Sequence, residues 1–209
     1  MLDEKGFNLW ADDYDKTVRL SDEKNEYPFA GYKKILNIIF NEVMTKSNSS
    51  VLDIGFGTGV LTKMLYDNGH HIDGIDFSSE MIRTAQEKMP EADLIEWDIT
   101  RALPGEFLEN EYDYIILTYS IHHLNDSDKI KLILHLLNHL SDNGKILIGD
   151  VAFKNMESLQ TCRQNYQDYW DSDEFYIIYN DFETLLSEYG RTEFKQVSHC
   201  GGVLEIKKI

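Results

Sequence analysis

Basic residues are scarce in this chain. Its 209 residues hold 20 Lys and Arg against 37 Asp and Glu, a formal net charge of −17. An excess of that size repels polyanions, so duplex nucleic acid and anionic membranes are unfavourable partners, while cationic small ligands are mildly favoured. Cysteine is nearly missing. Cys162 and Cys200 stand far apart, form no CxxC pair and match no metal-ligand spacing, so buried or inert thiols are expected. Only three prolines interrupt a chain that is 42% hydrophobic, the balance of a globular domain rather than a disordered one. No apolar run reaches the length of a membrane span. The acidic opening, MLDEKGFNLWADDYDK, lacks the basic start and apolar run of a signal peptide. These absences predict a soluble, cytoplasmic protein of one domain, without repeats or long linkers.

What is present is an alternation of short apolar runs with longer amphipathic ones. Strands are expected at Ser50–Ile54, His71–Asp76, Asp93–Asp98, Tyr112–Tyr119 and Lys145–Val151. Between them, helical spacing covers Thr58–Asn68, the segment from an N-cap at Ser79 to Met89, and Asp126–Ser141, which Asn143-Gly144 closes. Continuous apolar strands alternating with helices argue for βαβ units and a parallel sheet covered on both faces. A preceding helix is predicted over Tyr27–Lys46, with Pro28 in its first turn. Helices near Glu157–Tyr169 and Asp181–Tyr189 follow the core. Two last strands, Glu193–His199 and Val203–Lys208, are separated by little more than Gly201-Gly202 and should pair antiparallel. The chain thus divides into an N-terminal helical cap (1–49), a core (50–151) and a C-terminal insertion with the strand pair (152–209).

The stretch VLDIGFGTG, Val51 to Gly59, carries the chemistry. Glycines between a strand and a helix let the backbone turn tightly and let a ligand approach main-chain N–H groups. The spacing is G-x-G-x-G, not the dinucleotide G-x-G-x-x-G, and no Lys-Ser/Thr follows to make a Walker loop. Asp53 sits two residues before the first glycine, an odd neighbour for a pyrophosphate but a suitable one for an ammonium group. Asp76 ends the second strand about 20 residues further on, where doubly wound folds place a carboxylate that accepts ribose hydroxyls. Asp98 ends the third strand, where it can accept from an adenine amino group. Three acids on one sheet edge repel phosphate and tolerate an adenosine joined to an amino acid.

With these residues the sequence resembles the class I S-adenosylmethionine-dependent methyltransferases. The resemblance covers Val51 to Val151. It rests on VLDIGFGTG, on GIDFSSEMI as the ribose-binding motif, on WDI as the adenine-binding motif, and on DYIILTYSIHHL and LSDNGKILIGD as later strand motifs. It implies a three-layer α/β sandwich, with a Rossmann-like, seven-stranded, mostly parallel sheet and an antiparallel last strand. It also implies S-adenosylmethionine as cofactor. Gly55, Gly57 and Gly59 would line the methionine moiety with Asp53 near its ammonium. Asp76 would hold the ribose, with Phe77 beside the adenine; Asp98 and Ile99 would meet the adenine, and Thr118 would contribute backbone contacts near the sulfonium. Trp10-Ala-Asp-Asp-Tyr14-Asp resembles the W-x-x-x-Y-D opening segment of many small-molecule members, which makes Tyr14 a candidate lid, with core packing as the alternative.

Methyl transfer is an in-line displacement in which the protein mainly aligns the acceptor and excludes water. His122 and His123 follow the fourth strand, and one of them, with His122 taken first, is a candidate general base by position; a packed or capping role competes with that. No metal site is expected, because His122 and its neighbour His123 do not readily aim both rings at one ion and Asp150 is the only obvious nearby carboxylate. The aromatics Tyr166, Tyr169, Trp170, Phe175 and Tyr179 suit either an acceptor pocket or ordinary core, and the acids Asp168, Asp171, Asp173 and Glu174 suit a solvated face. A small-molecule acceptor is the leading expectation. RNA or protein methylation and cofactor binding without turnover are the alternatives.

Overall fold

The computed structural model describes Val18 and residues 21–101, 103–107 and 109–209. Tyr14 and Trp10 lie outside them. The described residues form eight strands: β1 (Ser50–Ile54), β2 (His71–Asp76), β3 (Asp93–Glu96), β4 (Tyr112–Thr118), β5 (Leu140–Phe153), β6 (Ile177–Ile178), β7 (Gly190–Gln196) and β8 (Gly201–Lys208). Seven of them form one sheet in the order β3-β2-β1-β4-β5-β8-β7, and the two-residue β6 pairs with β5 off that path. Strands β1 to β5 run parallel. Strand β8 is antiparallel to both β5 and β7, so a single reversed strand sits inside the sheet's edge region.

The helices are α1 (Tyr32–Val43), α2 (Val60–Asp67), α3 (Ser79–Lys88), α4 (Asp126–Leu137), α5 (Met156–Asn165) and α6 (Tyr179–Leu186). Alternation along the central strands sends side chains to two separate cores, as the period of two in a strand requires. Val51, Tyr114, Ile116 and Leu147 join Ile35, Ile39 and Leu65 of α1 and α2 on one face. Leu52, Ile115, Leu117 and Ile146 join Ile133, Leu136 and Phe182 of α4 and α6 on the other. The result is the three-layer α/β sandwich that the strand and helix pattern predicts.

Strand β3 stops at Glu96 rather than Asp98, and the last pair is shifted, with β7 ending at Gln196 and Gly201-Gly202 lying inside β8 rather than between the strands. Three other boundaries differ from expectation for local reasons. Helix α1 begins at Tyr32, not Tyr27, because Gly31 takes a left-handed φ of 81° immediately before it; Pro28 lies outside the helix and the Tyr27–Pro28 peptide is cis. Ser78 rather than Ser79 caps α3, its hydroxyl accepting the Met81 N–H at 3.3 Å. Strand β5 starts at Leu140, so Asn143-Gly144 does not separate helix from strand. It forms an irregularity within β5, opposite the register shift between Tyr112 and Tyr114.

Candidate functional site

Strand β1 has β2 on one side and β4 on the other, so the winding direction changes between β1 and β4 and leaves a crevice at their carboxyl ends. The loop after β1 turns there. Gly55 has φ 73°, and a side chain on it would bring its Cβ to 2.4 Å from the Cβ of Ser120, in the loop after β4. Only glycine fits both the conformation and the space. The Ser120 hydroxyl donates to the Ile54 carbonyl at 2.9 Å, joining the two loops across the crevice. Gly57, with φ 58°, faces open space.

Asp76 fixes this loop from the next strand. One carboxylate oxygen accepts the Gly57 N–H at 2.8 Å and the other accepts the Ser78 N–H at 2.8 Å. Burial raises the Asp76 pKa above the usual carboxylate range even though these backbone donors pull it down. Asp53 is more enclosed. Its Oδ2 accepts the Thr62 hydroxyl at 2.6 Å, while its Oδ1 is buried without a hydrogen-bond partner. Burial pushes the Asp53 carboxyl up to about 7, with Asp76 adding to the rise and Thr62 opposing it.

A cavity of about 370 Å³ opens over these loops. Its walls include Gly55, Gly57, Asp76, Phe77, Asp98, Ile99 and Thr118, seven of the residues expected from sequence. Asp53 and Gly59 lie behind the wall: Asp53 bonds to α2 through Thr62, and Gly59 precedes α2 and packs toward Ala85 and Met89. Asp98 lies two residues beyond the end of β3 and turns one oxygen to the Thr100 N–H and hydroxyl at 2.9 and 2.7 Å. It therefore caps its own loop while bordering the cavity. Tyr32 and Leu36 of α1 supply a wall that sequence reasoning missed, since nothing in a helix's period says which end of a sheet it covers.

The histidines are placed differently from expectation. His123 lines the cavity and His122 does not. The His122 Nδ1 lies 2.7 Å from Asp150 Oδ1, and its Nε2 lies 3.6 Å from Glu174 Oε1. Burial would lower the His122 pKa, but the charge and hydrogen bond of Asp150 outweigh it and hold it raised. Burial and the neighbouring His122 together lower His123 to about 4. Both residues sit in a tight 3₁₀ turn, Ile121–His123, which brings their ring centroids within 4.2 Å. This turn also brings donor atoms of His122, His123 and Glu174 to within 4.8 Å of one another, although adjacent rings are not readily aimed at one ion. Glu174 is likewise not part of a solvated face. It is packed beside His122 and accepts the Tyr176 hydroxyl at 2.6 Å.

Of the insertion's aromatics, Tyr166, Trp170 and Tyr179 pack against the core rather than lining the cavity, whereas Tyr169 and Phe175 are exposed. Tyr27 stacks on Trp170 with centroids 5.2 Å apart and meets Tyr166, and Tyr179 stacks on Phe194. The cavity's described walls all come from Tyr32 to Leu124. Nearby, Cys162 and Cys200 meet as buried thiols, and the hydrogen bond between them lowers the Cys162 pKa and raises that of Cys200.

A family profile described as a methyltransferase domain matches residues 51–144, the segment that carries the glycine loop, Asp76 and the histidine turn. An uncharacterized methyltransferase of Geobacillus kaustophilus (strain HTA426) is 32% identical over 215 residues, covering 97% of this chain and 95% of its own. Another, from Geobacillus sp. (strain WCH70), is 36% identical over 159 residues, covering 74% and 70%. The chain belongs to this methyltransferase family. Among solved structures, the methyltransferase is similar to the magnesium protoporphyrin IX methyltransferase of Synechocystis PCC 6803 with bound SAH. The TM-score is 0.72 at 17% identity, over 98% of each chain. It is also similar to the N-methyltransferase NodS of Bradyrhizobium japonicum WM9, with a TM-score of 0.62 at 14% identity over 85% and 86%. At those identities the likeness establishes a shared fold. Among the described residues of the methyltransferase, no helix is long and apolar enough to cross a membrane.

Proposed function

We propose that this methyltransferase moves a methyl group from S-adenosylmethionine to a small-molecule acceptor. The observation that carries the reading is the charge of the cavity wall. Its described lining holds the acids Asp76 and Asp98 and no Lys or Arg, which suits a nucleoside without phosphate and disfavours a dinucleotide. The residues present fit that group. Asp76 is held by two backbone N–H groups at the end of β2, in position for ribose hydroxyls. Phe77, 40% exposed, and Ile99 offer apolar surface for the adenine. The unpartnered Asp53 Oδ1, behind Gly55 and Gly57, supplies negative potential for the ammonium end.

When bound, the sulfonium supplies the electrophilic methyl group, and the chain's part is to orient and to exclude water. Gly55 and Gly57 admit the ligand close to the backbone, and Thr118 and Tyr119 border the end near β4. His122, committed to Asp150, acts at one remove from the cavity, and His123 is the imidazole beside the acceptor. Tyr14 keeps the role of lid that the W-x-x-x-Y-D resemblance gives it. The small-molecule class is supported by the net charge of −17, which opposes RNA, and by the activities of the two structural neighbours above. A cytoplasmic location is supported by the thiol pair, which stays reduced most readily there.

Calorimetric titration with S-adenosylhomocysteine tests the donor half, with one site per chain as the expected result. Incubation of S-adenosylmethionine with a panel of thiols, amines and hydroxyl compounds tests the acceptor half through release of S-adenosylhomocysteine. No heat of binding would remove the reading; binding without turnover on any acceptor would leave a cofactor-binding protein.

A further inference from the structure

We infer that His122, His123 and Glu174 form a binding site for a divalent transition-metal ion at the acceptor side of the cavity. Their donor atoms all lie within 4.8 Å of one another. An equilateral triangle of that edge has its centre about 2.8 Å from each corner, and zinc takes imidazole nitrogen and carboxylate oxygen at about 2.0–2.2 Å. Closing that gap needs each side chain to move by less than about 1 Å.

The surroundings are those of a ligand set. A metal-bound imidazole donates its other N–H to a carboxylate, which fixes its tautomer and raises its basicity. His122 has that arrangement: Nδ1 is 2.7 Å from Asp150 Oδ1, so Nε2 is the atom that faces Glu174. Glu174 is oriented in turn. Tyr176 donates to its Oε2 at 2.6 Å, leaving Oε1 toward His122. The backbone supports the group too, since the Phe175 N–H donates to the His122 carbonyl at 2.9 Å and ties the Glu174 segment to the histidine turn. Two nitrogens and one carboxylate oxygen are the donor mixture of catalytic zinc sites and of the facial triads that hold iron, both of which keep positions open. His123 lines the cavity, so the site adjoins it.

The ion's binding stands on these residues alone, whereas its role rests on the methyl-transfer reading. The open position takes the heteroatom of a thiol or hydroxyl acceptor. Coordination would lower the pKa of that group, its proton leaving to solvent while the lone pair stays on the bound sulfur or oxygen. The acceptor class is thereby narrowed to thiols and hydroxyl compounds.

The test uses the full chain, stripped with chelator and titrated with Co2+, whose visible absorption strengthens on leaving octahedral water for a four- or five-coordinate site. One Co2+ per chain with strengthened absorption is expected, at least 10-fold weaker in both Glu174→Gln and His123→Gln, and displaced by Zn2+. Glu174→Gln keeps an oxygen for the Tyr176 hydroxyl, and thermal unfolding checks that both variants fold. No Co2+ binding, or binding unchanged in both folded variants, overturns the site. Calorimetry with S-adenosylhomocysteine on the same stripped protein separates the two readings. Co2+ binding without S-adenosylhomocysteine binding keeps the metal site and removes its methyl-transfer role. S-adenosylhomocysteine binding without Co2+ binding does the opposite.

Discussion

The carboxylate of Asp76 accepts the backbone N–H of Gly57 at 2.8 Å, so the end of β2 holds the glycine loop of β1 in place. One side chain therefore does two things: it shapes the loop and it faces the cavity. The Asp76→Asn variant keeps an acceptor oxygen for one backbone donor, while Asp76→Ala keeps none. Hydrogen bonds to a charged group contribute about 1.5–3 kcal/mol each. S-adenosylhomocysteine affinity is expected to fall at least about 10-fold in Asn and about 100-fold in Ala, read by calorimetry. Equal affinity in wild type and Asp76→Ala would remove Asp76 from the ribose site.

Phe77 separates binding from stability. It is 40% exposed and lines the cavity, so Phe77→Ala removes little from the core. The expected outcome is a loss of affinity of about 5-fold, the scale of one exposed aromatic contact of about 1 kcal/mol, with thermal midpoint unchanged. A large drop in midpoint with intact affinity would contradict the placement of the ring.

Gly55 is constrained by shape. In Gly55→Ala the new methyl meets Ser120 at 2.4 Å in a left-handed conformation. Left-handed φ costs alanine about 1–2 kcal/mol, and overpacking about 1–3 kcal/mol. Urea unfolding should show the sum as about 2–5 kcal/mol of lost stability. Adding Ser120→Gly should restore the steric part but not the conformational part. Full restoration by that second change would mean that the φ of Gly55 is not strained for alanine.

Asp53 makes stability depend on pH. Its folded pKa is raised by burial to about 7, above its unfolded value of about 3.9. The folded state therefore holds a proton that the unfolded chain has released between those values. Its contribution is fully present below the unfolded pKa and is lost as pH rises through about 7. Asp53→Asn, which cannot ionise, should gain stability relative to wild type between pH 5 and pH 8. A difference in thermal midpoint that stays flat over that range would show that Asp53 ionises normally. Because a bound cation favours the carboxylate, saturating S-adenosylmethionine should shift the wild-type midpoint upward more at pH 8 than at pH 5.

The residues legible in the sequence are those whose role follows from where a strand ends. Asp76, Phe77, Ile99 and Thr118 line the cavity because the parallel order of β1 to β4 brings their strand ends or following turns to one edge. What the sequence hid depends on long-range folding. Glu174 stands among acids that look solvated, and only the course of the chain after α5 carries it to His122. Cys162 and Cys200 look unrelated until α5 and the turn before β8 meet. Asn143-Gly144 has the composition of a connector. It forms part of β5 because Gly144 packs so close to the Tyr112 carbonyl, 2.7 Å from where a Cβ would lie, that no side chain fits. His122 and His123 were indistinguishable by spacing, because a 3₁₀ turn separates consecutive side chains by about a third of a turn and tertiary packing alone selects the inward one.

Helix α1, which supplies Tyr32 and Leu36 to the cavity, rests on β5 and β8, with Ile35 pressed against Gly149 and Gly201. It is the first long helix described, and its seat includes the last strand. The cavity wall therefore depends on β8 as well as on the strands that carry the glycine loop and Asp76. A substitution that loosens β8 shifts Tyr32 and Leu36 while leaving the glycine loop itself untouched.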